Sequence, residues 1–539
     1  MVQNLWPKFV PMASLFFLLA FVNTVLDTIK DTLVITAVGG GTQVIPFITV
    51  YGVLPASFLF LLAFSAGTRR FSRQRLFNVV IGGFLAFIAA FALVFPAHGS
   101  LHFSALAARL SGALPVGLAG AVGMLRNWLF TLFYCVSELW GDACLSLLFW
   151  GLANETTRWD EAPVLYPLYG VGANVAQTLA GRAMRLAFAG SAVGADAGAA
   201  AAGAYATRLR AMLALCCAIC GCIIALQTWI ARRFRAARAP PPPPGALGVA
   251  AEADSDGEAK APPASSAGMS LRQAWQFLRR SPQIRCLALL AVSQGVTSNL
   301  LDLAWKHHLH RLAATPAAYS AILGDTAMWT GIVTGSLMFV SPSLFRRLGW
   351  EGVAKATPRV MLFVGTPFFM GAIVYNFWLA GTAAGPPTLR ALVILGAALQ
   401  VSSKGAKFSL FKPAEEMVYI GLDDESRSKG KAAIDVVGAQ SGKSISSLLQ
   451  QTLLLLSGGH VSRILPVMAG CFLAMIRQWL GAVTVLAGVI RAQKEATALA
   501  EKGAERAPRE QQAAAAAPAN GSSPGLTAAR LPASTAGEA

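Results

Sequence analysis

The sequence predicts an all-α polytopic membrane protein with about twelve transmembrane helices in two six-helix halves. Three observations carry this. Of the 539 residues, 55% are hydrophobic and 13% charged. Soluble domains carry about a quarter charged residues, so this apolar surface exceeds what one aqueous core can hide. Apolar runs of about 20 residues, the length that crosses a bilayer, recur along the chain. A Pro-rich and acidic stretch, APPPPPG followed by AEADSDGEAKAPPASS, divides the series midway.

The runs start near Pro11, Val44, Leu76, Trp128, Val164 and Leu209, and then near Ile284, Ala317, Val360, Leu389, Ala432 and Leu465. The segments between them alternate in charge. Arg69, Arg70, Arg73 and Arg75 follow the second run and Arg158 the fourth. Arg232, Arg233, Arg235 and Arg238 follow the sixth, Arg346, Arg347 and Lys355 the eighth, and Lys412, Arg427, Lys429 and Lys431 the tenth. Cytoplasmic loops carry the excess of Lys and Arg, which puts both termini and the central linker in the cytoplasm. The net charge of +18 is thereby a matter of topology, and no nucleic-acid partner is called for.

Four segments follow. Residues 1–232 form the N-terminal six-helix half and 271–492 the C-terminal one. Residues 233–270 form a disordered cytoplasmic linker, because Pro-rich and acidic low-complexity sequence builds no core. Residues 493–539 read as a short helix and then a disordered tail. The Ala/Gly-rich Gly194–Ala204 reads as a loop. The N-terminus lacks a small-residue cleavage site and reads as a first span, not a removed signal.

Of the eight Cys, four lie in CCAICGC, at Cys216, Cys217, Cys220 and Cys222. The surrounding run is apolar, so these are small packed residues; no metal and no disulfide framework is expected.

DVVGAQSGKS, Asp435–Ser444, ends like a phosphate-binding loop. That loop needs four residues between its first Gly and the Gly-Lys-Ser, and a preceding strand. Here three residues separate Gly438 from Gly442, and the context is an apolar span. VGAQSGKS instead aligns with VGANVAQT, Val171–Thr178, so that Asn174 matches Gln440 and Gln177 matches Lys443. Asn23 and Leu26-Asp27-x-x-Lys30 likewise resemble Asn299 and Leu301-Asp302-x-x-x-Lys306. Weakly repeated halves with a site between them are a common plan of secondary transporters. A membrane-bound nucleotide hydrolase is the rival class, but no soluble nucleotide-binding domain is present for it.

Ionisable residues inside spans cost about 2.5–3.5 kcal/mol each on insertion scales, so they are functional candidates. They are Asp27, Lys30 and Asp31; Glu138 and Asp142; Arg182 and Arg185; Asp302; Asp325; Lys404 and Lys407; and Asp435 and Lys443. The mixture suits a charged solute: cations neutralise phosphates, while carboxylates pair with those cations or take up protons. The bland reading sets Lys30, Arg182, Arg185, Lys404 and Lys407 near span ends, where long side chains snorkel. HHLH, His307–His310, reads as a surface segment, and Gly39–Gly41 as a tight turn or a source of amides for phosphate.

These residues resemble a family. KDTLVITAVGGGTQVIPF (Lys30–Phe47), ELWG from Glu138, FWGLANE ending at Glu155, YPLYGVGANVA from Tyr166, AAYSAILGD ending at Asp325, and Glu415–Ser444 are similar to motifs of the ATP/ADP translocases of intracellular bacteria and plastids. The resemblance covers nearly all of the apolar chain. It implies a major-facilitator-like fold, alternating access, nucleotide substrates, no cofactor, and a monomer in the bilayer of a bacterial inner membrane. In that family a Lys, a Glu, an acid and a Lys of spans one, four, seven and eleven serve transport; these fall on Lys30, Glu138, Asp302 and Lys443. Asp27, Asn174, Arg182, Lys404, Lys407, Asp435 and Gln440 are secondary candidates. Typical exchangers have Glu where this chain has Asp302, and Arg or Lys where it has Gln440. ATP:ADP antiport and proton-coupled nucleoside triphosphate symport therefore both stand.

Overall fold

Helices of about 20 residues reach 30 Å, and the first apolar run is longer. In the computed structural model it forms α1, Trp6–Thr36. Residues 6–157, 161–189, 199–235, 282–420 and 440–515 are described. The chain divides by packing into one compact unit, Met1–Val485, and another, Leu486–Ala539. All regular structure among the described residues is helical.

A polar group in an apolar helix must find a local partner. In α1, Thr24, Thr28, Thr32 and Thr36 each donate their hydroxyl to the carbonyl four residues back, at 2.6–3.0 Å. The helix stops where Gly39 and Gly41 take φ of 69° and 121°, values L side chains rarely adopt. Gly39–Gly41 is thus the turn into α2, Thr42–Arg70.

The chain continues through α3, Arg73–Leu101. Two short helices, α4 (Ser104–Ala113) and α5 (Val116–Arg126), come before α6, Trp128–Ala153. The sequence reading had no element at α4 and α5. Its window for a span is about 20 residues, and these are shorter. α7 is Ala162–Ala189 and α8 is Ala199–Arg235. The expected loop at Gly194–Ala204 is therefore corrected: from Ala199 it is helix, in keeping with the high helix propensity of Ala.

α9 is Pro282–Leu312. The apolar stretch Pro316–Leu379 is 64 residues long, far more than one crossing requires. It breaks at Gly349, φ 64°, into α10 (316–348) and α11 (350–379). α12, Gly385–Ala406, runs on without a break through a π-helical turn, Lys407–Phe411, and a last helical segment, Lys412–Ile420. α13 is Gln440–Leu456 and α14 is Val461–Ala515.

Eight helices are long and apolar enough to cross a membrane. Counting the broken stretch as two and adding α7, α12 and α13 gives the expected twelve among the described residues. The linker, the far tail and Asp435 fall largely outside those residues.

Two buried indoles pin pairs of helices. Trp140 Nε1 on α6 donates to the Leu19 carbonyl on α1 at 3.1 Å. Trp305 Nε1 on α9 donates to the Val393 carbonyl on α12 at 3.0 Å. The aromatic core around Trp140 includes Phe16 stacked on Phe149 at 4.0 Å and Phe91 against Phe133 at 4.3 Å.

The N-terminal and C-terminal helices meet along α7 and α10, where glycines let backbones touch. A Cβ on Gly181 would lie 2.4 Å from the Met328 nitrogen, and one on Gly331 would lie 2.4 Å from Thr178 Oγ1. Arg185 and Asp325 form an ion pair across the same seam. At a second seam Gln451 Nε2 on α13 donates to the Pro46 carbonyl on α2 at 2.8 Å.

The surface reading of His307–His310 is corrected. His308 is fully buried; its Nδ1 lies 2.7 Å from the Ala304 carbonyl and its Nε2 2.8 Å from Asn376 Nδ2. The basic neighbours drew the sequence reading to the surface, but the last turns of α9 pack His308 against Tyr375 and Asn376 of α11.

Candidate functional site

Between the N-terminal and C-terminal helices lies a cavity of about 700 Å³. Small-molecule sites run to about 300–1,000 Å³. α1 lines it with Asn23, Asp27, Lys30 and Asp31, positions one helical turn apart that share a face. α6 adds Tyr134, Glu138 and Asp142; α7 adds Asn174 and Gln177. α9 contributes Asn299, Asp302 and Lys306, α12 Gln400, Lys404 and Lys407, and α13 Lys443 and Ser444.

Most of these charges are paired, as the low-dielectric setting requires. Lys30 pairs with Asp27 on its own helix, and its Nζ lies 2.5 Å from Glu138 Oε1. Tyr134 presents its ring to the same ammonium, 5.1 Å from the centroid. The other Glu138 oxygen, Oε2, is 3.4 Å from Lys443 Nζ. One carboxylate thus serves two lysines brought from opposite ends of the sequence.

A second cluster sits beside the first. Lys306 Nζ lies 2.6 Å from Asp302 Oδ2 and 2.7 Å from Asp31 Oδ2, joining α9 to α1. Gln400 Nε2 donates to Asp302 Oδ1 at 3.1 Å. Asp31 Oδ1 is buried and accepts no hydrogen bond. Next to Asp31, Thr32 Oγ1 accepts from Ser320 Oγ of α10 at 3.0 Å. The lining holds five carboxylates and five lysines, so it is formally balanced.

Of the sequence candidates, Lys30, Glu138, Asp302, Lys443, Asp27, Asn174, Lys404 and Lys407 all line this cavity. Arg182 does not; it is exposed on α7, directly after the Gly181 that packs α7 on α10. Asp435 lies outside the described residues, as does the side chain of Gln440, which opens α13. The repeated pairs Asn23 and Asn299, Asp27 and Asp302, and Gln177 and Lys443 all face the same space.

Sequence reasoning missed Lys306 as a site residue. Its signal was the spacing Asp302-x-x-x-Lys306, which puts both on one helix face. Among the described residues no cluster of His, Cys, Asp or Glu is arranged to hold a metal. The Cys of α8 do not form one: Cys216 and Cys220 are buried while Cys222 points outward.

The sequence model of the TLC ATP/ADP transporters matches residues 2–489. The chain is similar to ADP,ATP carrier protein 1 of Chlamydia muridarum, 37% identical, covering 94% of this chain and 96% of that one. It is 36% identical to the chloroplastic ADP,ATP carrier protein 1 of Arabidopsis thaliana over 93% of this chain and 76% of that one. With ADP,ATP carrier protein 4 of Rickettsia conorii the identity is 30%, covering 90% and 94% of the two. Among solved structures, the nucleoside transporter NupG superposes with a TM-score of 0.48 at 11% identity, over 87% of this chain and 99% of that one. The family model spans every residue that lines the cavity, and the chain belongs to the TLC ATP/ADP transporter family.

Proposed function

We propose that this multi-pass membrane protein is a secondary transporter that moves nucleotides by alternating access, with ATP, ADP or other nucleoside triphosphates as substrates. The observation that carries this is Glu138 held between Lys30 and Lys443 in a cavity of nucleotide size. A polyphosphate entering between the lysines replaces Glu138 as their partner and leaves when the carboxylate returns. Charge-assisted contacts of this kind are strong yet exchangeable. Asn23, Asn174 and Gln177 offer amides to the neutral part of the ligand.

The fold reading is major-facilitator-like, with two six-helix halves rocking about the cavity. Its place is a bacterial inner membrane, a reading the relatives of Chlamydia and Rickettsia favour over the chloroplastic ones, and the basic loops support cytoplasmic termini. The protein works as a monomer.

The coupling mode follows one of two routes. Exchange of one nucleotide for another is the first. The second is proton symport, with Glu138 or Asp302 as the proton site, favoured by the carboxylates that face the cavity beside the lysines. Counterflow in proteoliposomes decides between them. Uptake that needs internal nucleotide and ignores a pH gradient rules out symport. Uptake into empty vesicles that a protonophore abolishes rules out obligate exchange. No nucleotide uptake under either condition overturns the proposed function itself.

A further inference from the structure

The cavity lysines fall into two kinds. Lys30, Lys306 and Lys443 each lie within 3.4 Å of a carboxylate. Lys404 and Lys407, both on the cavity wall, make no ion pair among the described residues. The Nζ of Lys407 lies 5.4 Å from the Phe408 ring centroid. Lys404 is exposed and Lys407 half-buried; an ammonium that touches no carboxylate accepts an incoming anion without first giving up a partner.

The backbone holds these two side chains at the cavity. Gly405 between them packs against α10: a Cβ there would meet Val333 Cγ1 at 3.1 Å and Leu337 Cδ1 at 3.3 Å. The π-helical turn begins at Lys407. π-Turns often mark functional positions, since the extra residue turns the side chains out of α-helical register. Two hydroxyls lock the turn in place: Ser409 Oγ donates to the Thr334 carbonyl at 2.9 Å, and Ser341 Oγ donates to the Ser409 carbonyl at 2.8 Å. With Gly405 and the turn fixed on α10, Lys404 and Lys407 are presented from a rigid platform.

A similar π-helical turn, Gly141–Phe149, lies in α6, across the cavity. There the residues around it are acidic, Glu138 and Asp142, where α12 carries Lys404 and Lys407. Asp142 also makes no ion pair among the described residues. One wall is thus anionic and the other cationic at corresponding turns. Along α12, Lys404 and Lys407 lie about 6 and 10 Å from Gln400, which marks the level of Asp302. The α12 pair therefore sits one to two turns from the level of Asp302 and its partner Lys306, a span that one extended nucleotide covers.

We propose that Lys404 and Lys407 form a second polyphosphate subsite, separate from Lys30 and Lys443. It rests on the reading of the chain as a nucleotide carrier. Because it has no carboxylate to displace, this subsite takes the phosphate chain first. The Glu138-paired lysines then receive it in exchange for their carboxylate. The α12 pair senses phosphate charge alone, so it sets preference by the number of phosphates and is indifferent to the base.

The test uses the full-length protein and tripolyphosphate as the probe. In the wild type, tripolyphosphate protects Lys404 and Lys407 from acylation by an N-hydroxysuccinimide ester, read by peptide mass spectrometry, while Lys8, which lies outside the cavity and pairs with Glu161, reacts to the same extent with and without the probe. Equal acylation with and without the probe overturns the proposal. In uptake, Lys404→Gln/Lys407→Gln raises the KM for ATP by about tenfold or more per lysine, from the loss of charged hydrogen bonds. The KM for AMP moves less, and Lys404→Arg/Lys407→Arg keeps the wild-type order. An unchanged ratio of ATP to AMP KM in the Gln variant also overturns it. Wild-type protein that takes up no nucleotide contradicts the carrier reading instead, while the protection experiment still reports on the subsite.

Discussion

Lys306→Gln tests the ion cluster that joins α1 to α9. The Lys306 side chain is 9% exposed and that of Asp31 10%, so the Asp31 carboxylate cannot turn to water when the ammonium is lost. Removing one partner of a buried pair costs about 3–5 kcal/mol. Asp302 keeps its bond from Gln400, which puts the expected loss near the lower end, about 3 kcal/mol. A loss of that size speeds local opening about 100-fold. Hydrogen-exchange mass spectrometry over residues 28–36 and 302–312 measures it directly. Asp31→Asn alone leaves Lys306 with Asp302 and costs about 1 kcal/mol. The double variant, which leaves no isolated charge at position 31, is more stable than Lys306→Gln alone. Exchange in Lys306→Gln equal to wild type, or strictly additive effects in the double variant, refutes the reasoning.

Lys443→Ala abolishes nucleotide uptake while the protein still reaches the membrane, as shown by immunoblot of washed vesicles. Normal uptake removes Lys443 from the site. Gly181→Leu lowers thermal stability strongly, by about 2 kcal/mol or more, because its side chain enters the backbone of α10. Gly82→Ala, whose Cβ meets nothing within 4 Å, gains up to about 1 kcal/mol from helix propensity; equal effects at the two positions contradict the packing described for α7 and α10. Purified protein given MgATP releases no more phosphate than Lys443→Ala does, and a wild-type excess revives the hydrolase reading.

Much of the fold was legible because each span must carry its own apolar length. The apolar runs located the starts of α1 to α3 and α6 to within a few residues, whereas α8 begins at Ala199, well before the run expected near Leu209. The short helices α4 and α5 were not legible, because nothing in so short a segment separates a packed helix from a loop. They are fixed by neighbours far along the chain: a Cβ on Gly117 of α5 would lie 2.7 Å from the Leu455 Cα of α13. The loop expected near Arg346 and Arg347 is instead a bend at one glycine, Gly349, since the basic residues sit on helix that continues to it.

The residues that line the cavity stood out because ionisable groups in apolar spans are rare. Their partners did not. Nothing local says that Asp31 meets Lys306 or that Glu138 divides itself between Lys30 and Lys443, because these contacts exist only once α1, α6, α9 and α13 surround one space. The internal repeat did foretell which positions face that space, since Asn23 with Asn299 and Gln177 with Lys443 were paired from sequence alone.

The balance of five carboxylates and five lysines in the cavity has an electrical consequence. Moving one charge across 100 mV takes about 2.3 kcal/mol. An empty carrier with a neutral lining does no such work when its two sides exchange access. A loaded one does, in proportion to the charge of its nucleotide. The membrane potential therefore acts on the loaded step, and a more highly charged nucleotide is driven out of a negative interior more strongly than a less charged one.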